Sequence, residues 1–439
     1  MHDSLHLVRT RRFLPIFVTQ FLGAFNDNLF RTAMVMLVIY GIYGDAEQEA
    51  TFSAIAGGLF IAPFFLLSAL SGQLADAHDK ARIVRIVKTA EILIMIFGAA
   101  GLLLHNIPLL LAALTAMGVH STFFGPIKYA ILPQHLESDE VLGGTGLVEA
   151  GTYIAILGGT ILGGILVLQN PDGSYHAEWA AVGVLVVAVL GRIAGGFVPP
   201  APPVDEPEVE GFPKRGMDWH IVRASIRLVS ATMHVRRLFL AVLSISFFWA
   251  MGAVLAAQFP PLVKNSLGAD QTVATLFLAV FSVGVAVGSV FVNWLLKGQV
   301  AARYSPISAL FMGVFVLDLF RRVRSWPVSG GELQSISAFF TMPNSWMVLV
   351  DLLGVAIAGG MFVVPLYAFL TTTVPKSETA RTIAANNIVN SGAMVVATGI
   401  LAVAIGFFEI TVADSLLIVA LASVVAAWLG WKLHQACDC

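Results

Sequence analysis

Gln20-Phe21-Leu22-Gly23-Ala24-Phe25-Asn26-Asp27-Asn28 lies inside an apolar run from Phe13 to Tyr43. That run exceeds the roughly 20 residues a membrane-spanning helix needs, so this stretch decides the fold class. It is a helix in lipid with three polar residues in a row. At about 1.5 Å per residue, Asp27 stands roughly 21 Å along the axis from Phe13. An acid at that depth is costly in hydrocarbon and faces a bundle interior or a watery cavity. The triplet is therefore either a polar knot that ties this helix to a neighbour or a substrate or ion contact in a transport cavity. The acid favours the second reading. Neighbours on a helix differ by about 100°, so Asn26 and Asn28 cannot both share the face of Asp27, and one of them serves packing.

The rest of the composition agrees with lipid as the solvent. The chain is 57% hydrophobic and only 12% charged, where soluble domains carry about 25% charged residues. Mean hydropathy is +0.84. The two cysteines, Cys437 and Cys439, sit together at the C-terminus, which excludes a disulfide scaffold and a four-ligand metal site. A net charge of -2 gives no reason to expect nucleic acid as a partner. Arg9, Arg11 and Arg12 precede an apolar run too long for the core of a cleaved signal peptide, so the first helix is expected to be retained.

Outward from that helix, twelve apolar segments follow in two sets of six. They run at about 13–43, 51–75, 82–104, 107–133, 143–168 and 177–198, then 237–263, 271–297, 304–322, 346–372, 379–407 and 410–433. The interval 199–236 is rich in proline and carries an acidic run from Asp205 to Glu210 followed by bases. Such a composition shift marks a linker. The expected organisation is an N-terminal six-helix half at 1–198, a cytoplasmic linker at 199–236 and a C-terminal half at 237–439. With both termini in the cytoplasm, 20 of the 25 Lys and Arg fall at cytoplasmic ends, among them the bases up to Lys88 between the second and third segments. Arg321, Arg322 and Arg324 violate the pattern, and Asp318, three and four residues before the first two, offers helical ion pairing.

A faint repeat relates the halves. Gly146-Leu147-Val148-Glu149-Ala150-Gly151 resembles Asn387-Ile388-Val389-Asn390-Ser391-Gly392. Pro126-Ile127-Lys128-Tyr129-Ala130 resembles Pro365-Leu366-Tyr367-Ala368 with one residue deleted. Parallel repeats of six helices are a known transporter plan. The repeat leaves Lys128 without a counterpart and matches Glu149 with Asn390, so charge is concentrated in the first half.

Gly72-Gln73-Leu74-Ala75-Asp76-Ala77-His78-Asp79-Lys80-Ala81-Arg82 joins the second and third segments. It resembles the loop motif of the major facilitator superfamily, in which a glycine permits close helix approach, an acid caps or pairs, and bases stay in the cytoplasm. Gly72, Asp76, Lys80 and Arg82 carry the resemblance, while Ala77, His78 and Asp79 depart from the usual pattern. The resemblance implies an all-α membrane protein of twelve transmembrane helices.

Four further stretches are more specific. Phe21 to Asn28, Phe124 to Leu132, Gly146 to Ala150 and Gly359 to Leu366 resemble, in order along the chain, segments of bacterial lysophospholipid transporters. That resemblance implies import of lysophospholipid, notably lysophosphatidylethanolamine, from the outer to the inner leaflet of the inner membrane. It also implies reacylation by an acyl-carrier-protein synthetase and acyltransferase, which some members carry as fused domains. Asn26 is closest to the fused forms, yet no enzyme domain follows. No His has an Asp five positions on, as an acyltransferase needs, His135 with Glu140 being nearest; no Gly-Lys-Ser/Thr phosphate loop exists either. A transporter without catalysis is the expectation. An exporter of other amphiphiles and a non-transporting scaffold for an acyltransferase are the alternatives, and a scaffold has no need of charges inside helices.

The expected substrate or ion contacts are Asp27, Asn28, Arg31, Lys128, Glu149 and Asn390. A lysolipid head would meet an acid, Asp27 or Glu149, at its ammonium and a base, Lys128 or Arg31, at its phosphate. No cofactor or resident metal is expected; a coupling cation, Na⁺ or H⁺, is left open, with Asp27 as its site. Lys128 and Glu149 are expected to pair across their helices, because an unpaired buried Glu is costly. Arg31 either pairs with Asp27 four residues back or reaches the outer interface. Glu91 and His120 read as local hydrogen-bond partners, and Phe248 and Trp249 as core. Gly158-Gly159 and Gly163-Gly164 read as close helix packing. The segment Val323 to Asn344 is longer than the resemblance implies and is expected to cover the periplasmic interface as an amphipathic element, with Ser329 exposed on that side.

Overall fold

The computed structural model describes residues 4–42, 46–169, 175–203, 218–269, 271–327, 334–408, 411 and 413–437. The first six long helices are α1 (Leu14–Met36), α2 (Ala46–Ala77), α3 (Lys80–Leu103), α4 (Ile107–Ala130) and, after the short α5 (Leu132–His135), α6 (Val141–Ile165) and α7 (Glu178–Gly196). An amphipathic α8 (Ile221–His234) precedes the second set. That set is α9 (Arg236–Pro261), α10 (Gln271–Leu296), α11 (Ser305–Arg324), then, after the short α12 (Ile336–Thr341), α13 (Ser345–Thr373), α14 (Thr379–Phe408) and α15 (Ser415–Cys437). A two-residue hairpin, β1 (Leu168–Gln169) with β2 (Tyr175–His176), links α6 to α7. Among the described residues ten helices are apolar and long enough to cross a membrane; α1 and α11 have the length, 23 and 20 residues, but carry polar stretches.

Local sequence explains the ends. Asp79 caps α3 by accepting from the Ala81 N–H at 2.9 Å, and Asn106 caps α4 by accepting from Leu109 at 3.0 Å. The first helices of both sets, α1 and α9, run on into π-helical turns at Leu37–Ile42 and Leu262–Ser266. Pro126 and Pro365, repeat-equivalent in the sequence, lie inside α4 and α13, where each removes one backbone hydrogen bond.

The two sets meet along α2 with α14 and along α6 with α10. Within the first set, the paired glycines of α6 bring it onto α1: a Cβ at Gly163 would stand 2.6 Å from the Leu29 carbonyl oxygen. The interval expected to be a linker carries α8, whose Ala224 and Leu228 are buried against Ala69 of α2 and Ala384, Ala385 and Ile388 of α14.

Two sequence expectations are revised. Lys88 is not a loop base. It lies inside α3 and is fully buried. The 323–344 segment, of which Ser329 lies outside the described residues, is anchored in the core: Phe339 of α12 is fully buried, stacks on Trp326 at 5.5 Å and meets Phe277 of α10 edge-on at 6.3 Å. Arg322 is ion-paired as expected with Asp318 at 2.7 Å and also with Asp351 of α13 at 2.9 Å.

Candidate functional site

A cavity of about 400 Å³ lies between the two sets, bounded by α1, α2, α4 and α6 on one side and α9, α13 and α14 on the other. Asp27, Asn28, Arg31, Lys128 and Asn390, five of the expected contacts, all line it. The helical-wheel argument for the polar triplet also holds. Asn26 is fully buried and turned away, donating to Glu91 Oε1 at 2.8 Å, while Asp27 and Asn28 face the cavity.

Asp27 is half satisfied. Its Oδ2 accepts from Ser121 Oγ at 2.6 Å, but its buried Oδ1 has no hydrogen-bond partner among the described residues. Arg31 does not pair with it. Its Nη2 donates to Asn28 Oδ1 at 2.9 Å and its guanidinium lies 5.9 Å from the Phe60 ring centroid. The four-residue spacing permits an ion pair, but Asn28 sits three residues back and takes the guanidinium first.

Behind the cavity wall is a buried charge cluster that the sequence reading missed in part. Lys88 Nζ donates to Glu91 Oε2 at 2.5 Å, and His120 Nε2 lies 3.2 Å from the same oxygen. The ammonium also stands 5.4 Å from the centroid of Phe124, a cation–π distance. Gly23 makes room for it: a Cβ there would fall 2.7 Å from Lys88 Nζ. Glu91 and His120 were legible as local partners. Lys88 was detectable from its spacing three residues before Glu91 within an apolar segment.

Glu149 is the one expected contact that does not reach the cavity. It is buried behind Tyr129, whose hydroxyl donates to its Oε1. Among the described residues it makes no ion pair with Lys128; that ammonium instead lies 4.7 Å from the centroid of the Tyr129 ring. A phenol hydroxyl already at bonding distance meets the need for a partner that the sequence argument assigned to Lys128. Across the cavity, Trp249, expected to be core, donates its indole N–H to Tyr367 at 2.8 Å and lines the wall. Asn390 donates to the same hydroxyl at 3.5 Å and accepts from Ser246 at 2.7 Å.

Below the cavity, the loop motif closes the two sets on each other. Asp76 at the end of α2 accepts from the backbone N–H groups of Ala380 at 3.2 Å and Arg381 at 3.1 Å, capping α14 from the other half. The Arg381 side chain lies 3.7 Å from the same carboxylate. Gly72 allows the approach, since a Cβ there would stand 2.6 Å from that of Ala384. Lys80 is buried and Arg82 exposed. At the opposite end, among the described residues, nothing lies within 4 Å of a Cβ placed at Gly57 or Gly58 of α2 or at Gly392 or Gly399 of α14.

Residues 16–320 match the family model described as Major Facilitator Superfamily. The chain belongs to this superfamily. It is similar to the lysophospholipid transporter of Citrobacter koseri, 25% identical over 99% of this chain and 100% of that one. The lysophospholipid transporter of Salmonella newport is 26% identical over 96% of both chains. Among solved structures, the fold matches the human organic anion transporter MFSD10 with a TM-score of 0.72 at 12% identity, covering 96% of this chain and 99% of that one. A bacterial homologue of the iron transporter ferroportin, in an outward-facing state, matches with 0.66 at 15% identity, covering 97% and 99%. The two sets are thus joined at the Asp76 end, and among the described residues Gly57, Gly58, Gly392 and Gly399 at the other end face open space. Among the described residues no cluster of three His, Cys, Asp or Glu is placed to hold a metal ion.

Proposed function

We propose that the protein is a secondary transporter that carries lysophospholipids, lysophosphatidylethanolamine foremost, from the outer to the inner leaflet of a bacterial inner membrane by alternating access. The observation that carries the proposal is the cavity's charge layout. It offers, on Asp27, a carboxylate oxygen with no partner among the described residues, within the same walls as two bases, Arg31 and Lys128. A zwitterionic head needs both signs close together, and apolar flanks such as Phe60, Phe64 and Ile156 suit an acyl tail. Similarity to lysophospholipid transporters over nearly the whole chain supports the same substrate class.

In this reading Asp27 faces the ammonium or a coupling Na⁺ or H⁺, while Arg31, held by Asn28, or Lys128 faces the phosphate. Asn390 orients Tyr367. Glu149 is a positioning residue for Tyr129 and leaves the set of contacts. The positive-inside pattern supports both termini and the Asp76 end lying in the cytoplasm; in this reading the conformation opens outward, to the leaflet from which substrate would come. The two halves, 1–198 and 237–439, rock about the cavity, with 199–236 as their cytoplasmic connection. A separate acyl-carrier-protein synthetase and acyltransferase would then consume the product.

The test is transport by the purified protein alone. Proteoliposomes should move labelled lysophosphatidylethanolamine across the bilayer faster than protein-free vesicles under a Na⁺ or proton gradient. Movement equal to that of empty vesicles under every gradient would reject the proposal.

A further inference from the structure

A second cavity, of about 680 Å³, lies on the outside of the first six-helix set. Its walls are Val87, Ala90 and Ile94 of α3 and Ala116, Val119 and Phe123 of α4. Ala90 and Ala116 are small, and they set the width of the gap between the two helices. Ile86 on its rim is 60% exposed, as are Leu93 and Phe97 further along α3 at 57% and 60%, so the groove opens toward the hydrocarbon. One end is basic: His78 and Arg82 both line it. Arg82 is exposed and has no ion pair or hydrogen bond among the described residues. Asp79, three residues before Arg82, turns inward onto the N–H groups of Ala81 and Ala201, at 2.9 and 3.0 Å. From Arg82 to Ile94 the groove follows twelve residues of α3, roughly 18 Å. One leaflet of hydrocarbon is about 15 Å deep.

We propose that this groove binds an anionic membrane lipid, one acyl chain lying between α3 and α4 and its phosphate held at Arg82 and His78. An apolar slot one leaflet deep, open sideways to lipid and ending at a base that no described acid pairs, matches that chemistry. Basic clusters where helices meet the inner leaflet are the recurrent form of anionic-lipid recognition. The site is distinct from the central cavity but not remote from it: His120 lines both and stands 3.2 Å from Glu91. A lipid seated here would buttress the wall that carries the buried charge cluster. The inference needs only the membrane setting and not the identity of the transported substrate.

The test is photolabelling of the full chain in nanodiscs. Phosphatidylglycerol and phosphatidylcholine probes, each with a diazirine midway along one acyl chain, are compared by peptide mass spectrometry. The phosphatidylglycerol probe should label 83–94 and 116–123 at least fivefold more than the phosphatidylcholine probe. Arg82→Gln should bring that ratio close to one. Ala90→Trp, which fills the slot, should remove labelling there and leave the exposed Leu190 and Ile193 of α7 labelled as before. Ala116→Leu fills it from the other wall and serves if the tryptophan variant does not stay monodisperse. Equal labelling by both probes, or labelling untouched by either filling variant, would show ordinary bilayer contact only and overturn the proposal. Loss of lysophospholipid transport in the proteoliposome assay would leave it standing.

Discussion

Tyr129 of α4 and Tyr367 of α13 stack face to face, with ring centroids 4.7 Å apart and planes inclined by 8°. They are equivalent positions of the internal repeat, so the two halves meet through a residue and its own counterpart. Their hydroxyls are held by a second equivalent pair, Glu149 for Tyr129 and Asn390 for Tyr367. The replacement of an acid by an amide in the second half removes the charge and reverses the bond: Tyr129 donates to Glu149, whereas Asn390 donates to Tyr367.

This arrangement distinguishes Glu149 as an acceptor from Glu149 as an ion-pair partner. Tyr129→Phe leaves a buried carboxylate without its donor and is expected to cost about 1–3 kcal/mol, read as a fall in the thermal unfolding midpoint in detergent. Glu149→Gln retains an acceptor oxygen and should cost less. A larger loss for Glu149→Gln than for Tyr129→Phe would mean that the carboxylate's charge is what matters and would restore Lys128 as its partner.

The buried cluster makes a sharper statement. Glu91→Ala strands the Lys88 ammonium, and breaking a buried pair in this way typically costs about 3–5 kcal/mol. Replacing both partners by apolar residues is often neutral. Lys88→Met and Glu91→Leu should therefore each lower the yield of folded protein severalfold, and the double variant should recover most of it. Additive losses in the double variant would contradict the pairing.

At the closed end, Asp76→Ala removes a cap on two backbone N–H groups of α14. Loss of a helix cap costs about 1 kcal/mol, enough to shift a two-state ratio about fivefold. In a variant with Cys437 and Cys439 changed to Ser, a Met394→Cys thiol in the cavity reports opening. Adding Asp76→Ala should slow its labelling by an impermeant reagent from the side facing away from Asp76. An unchanged rate would show that this contact does not hold the gate.

Much of this was legible in the residues, and the misses share a cause. Asp27 identified itself because an acid at that depth has few fates, and Asn26 followed from helical geometry. Helix count and the repeat were visible as apolar spacing and paired prolines. What one sequence does not carry is the rotation of each helix about its axis. Lys128 and Glu149, on different helices, looked like partners, yet the adjacent Tyr129 takes the carboxylate. Lys88 was counted with the loop bases because hydropathy alone does not separate a base at a helix end from one two turns inside. Phe339 looked like part of a surface element until Trp326 and Phe277 enclosed it.

The most direct measurement compares wild-type protein and Asp27→Asn in the same proteoliposome assay. The substitution keeps size and the Ser121 hydrogen bond while removing the charge of a carboxylate whose second oxygen has no partner among the described residues. The account predicts near-normal expression and monodispersity with most lysophosphatidylethanolamine transport lost. If Asp27 meets the lipid ammonium, lysophosphatidylglycerol transport should survive better; if it binds the coupling cation, the response to a Na⁺ or proton gradient should vanish for every substrate. Wild-type rates for all lysophospholipids with Asp27→Asn, under every gradient, would contradict the claim that this cavity is the transport site.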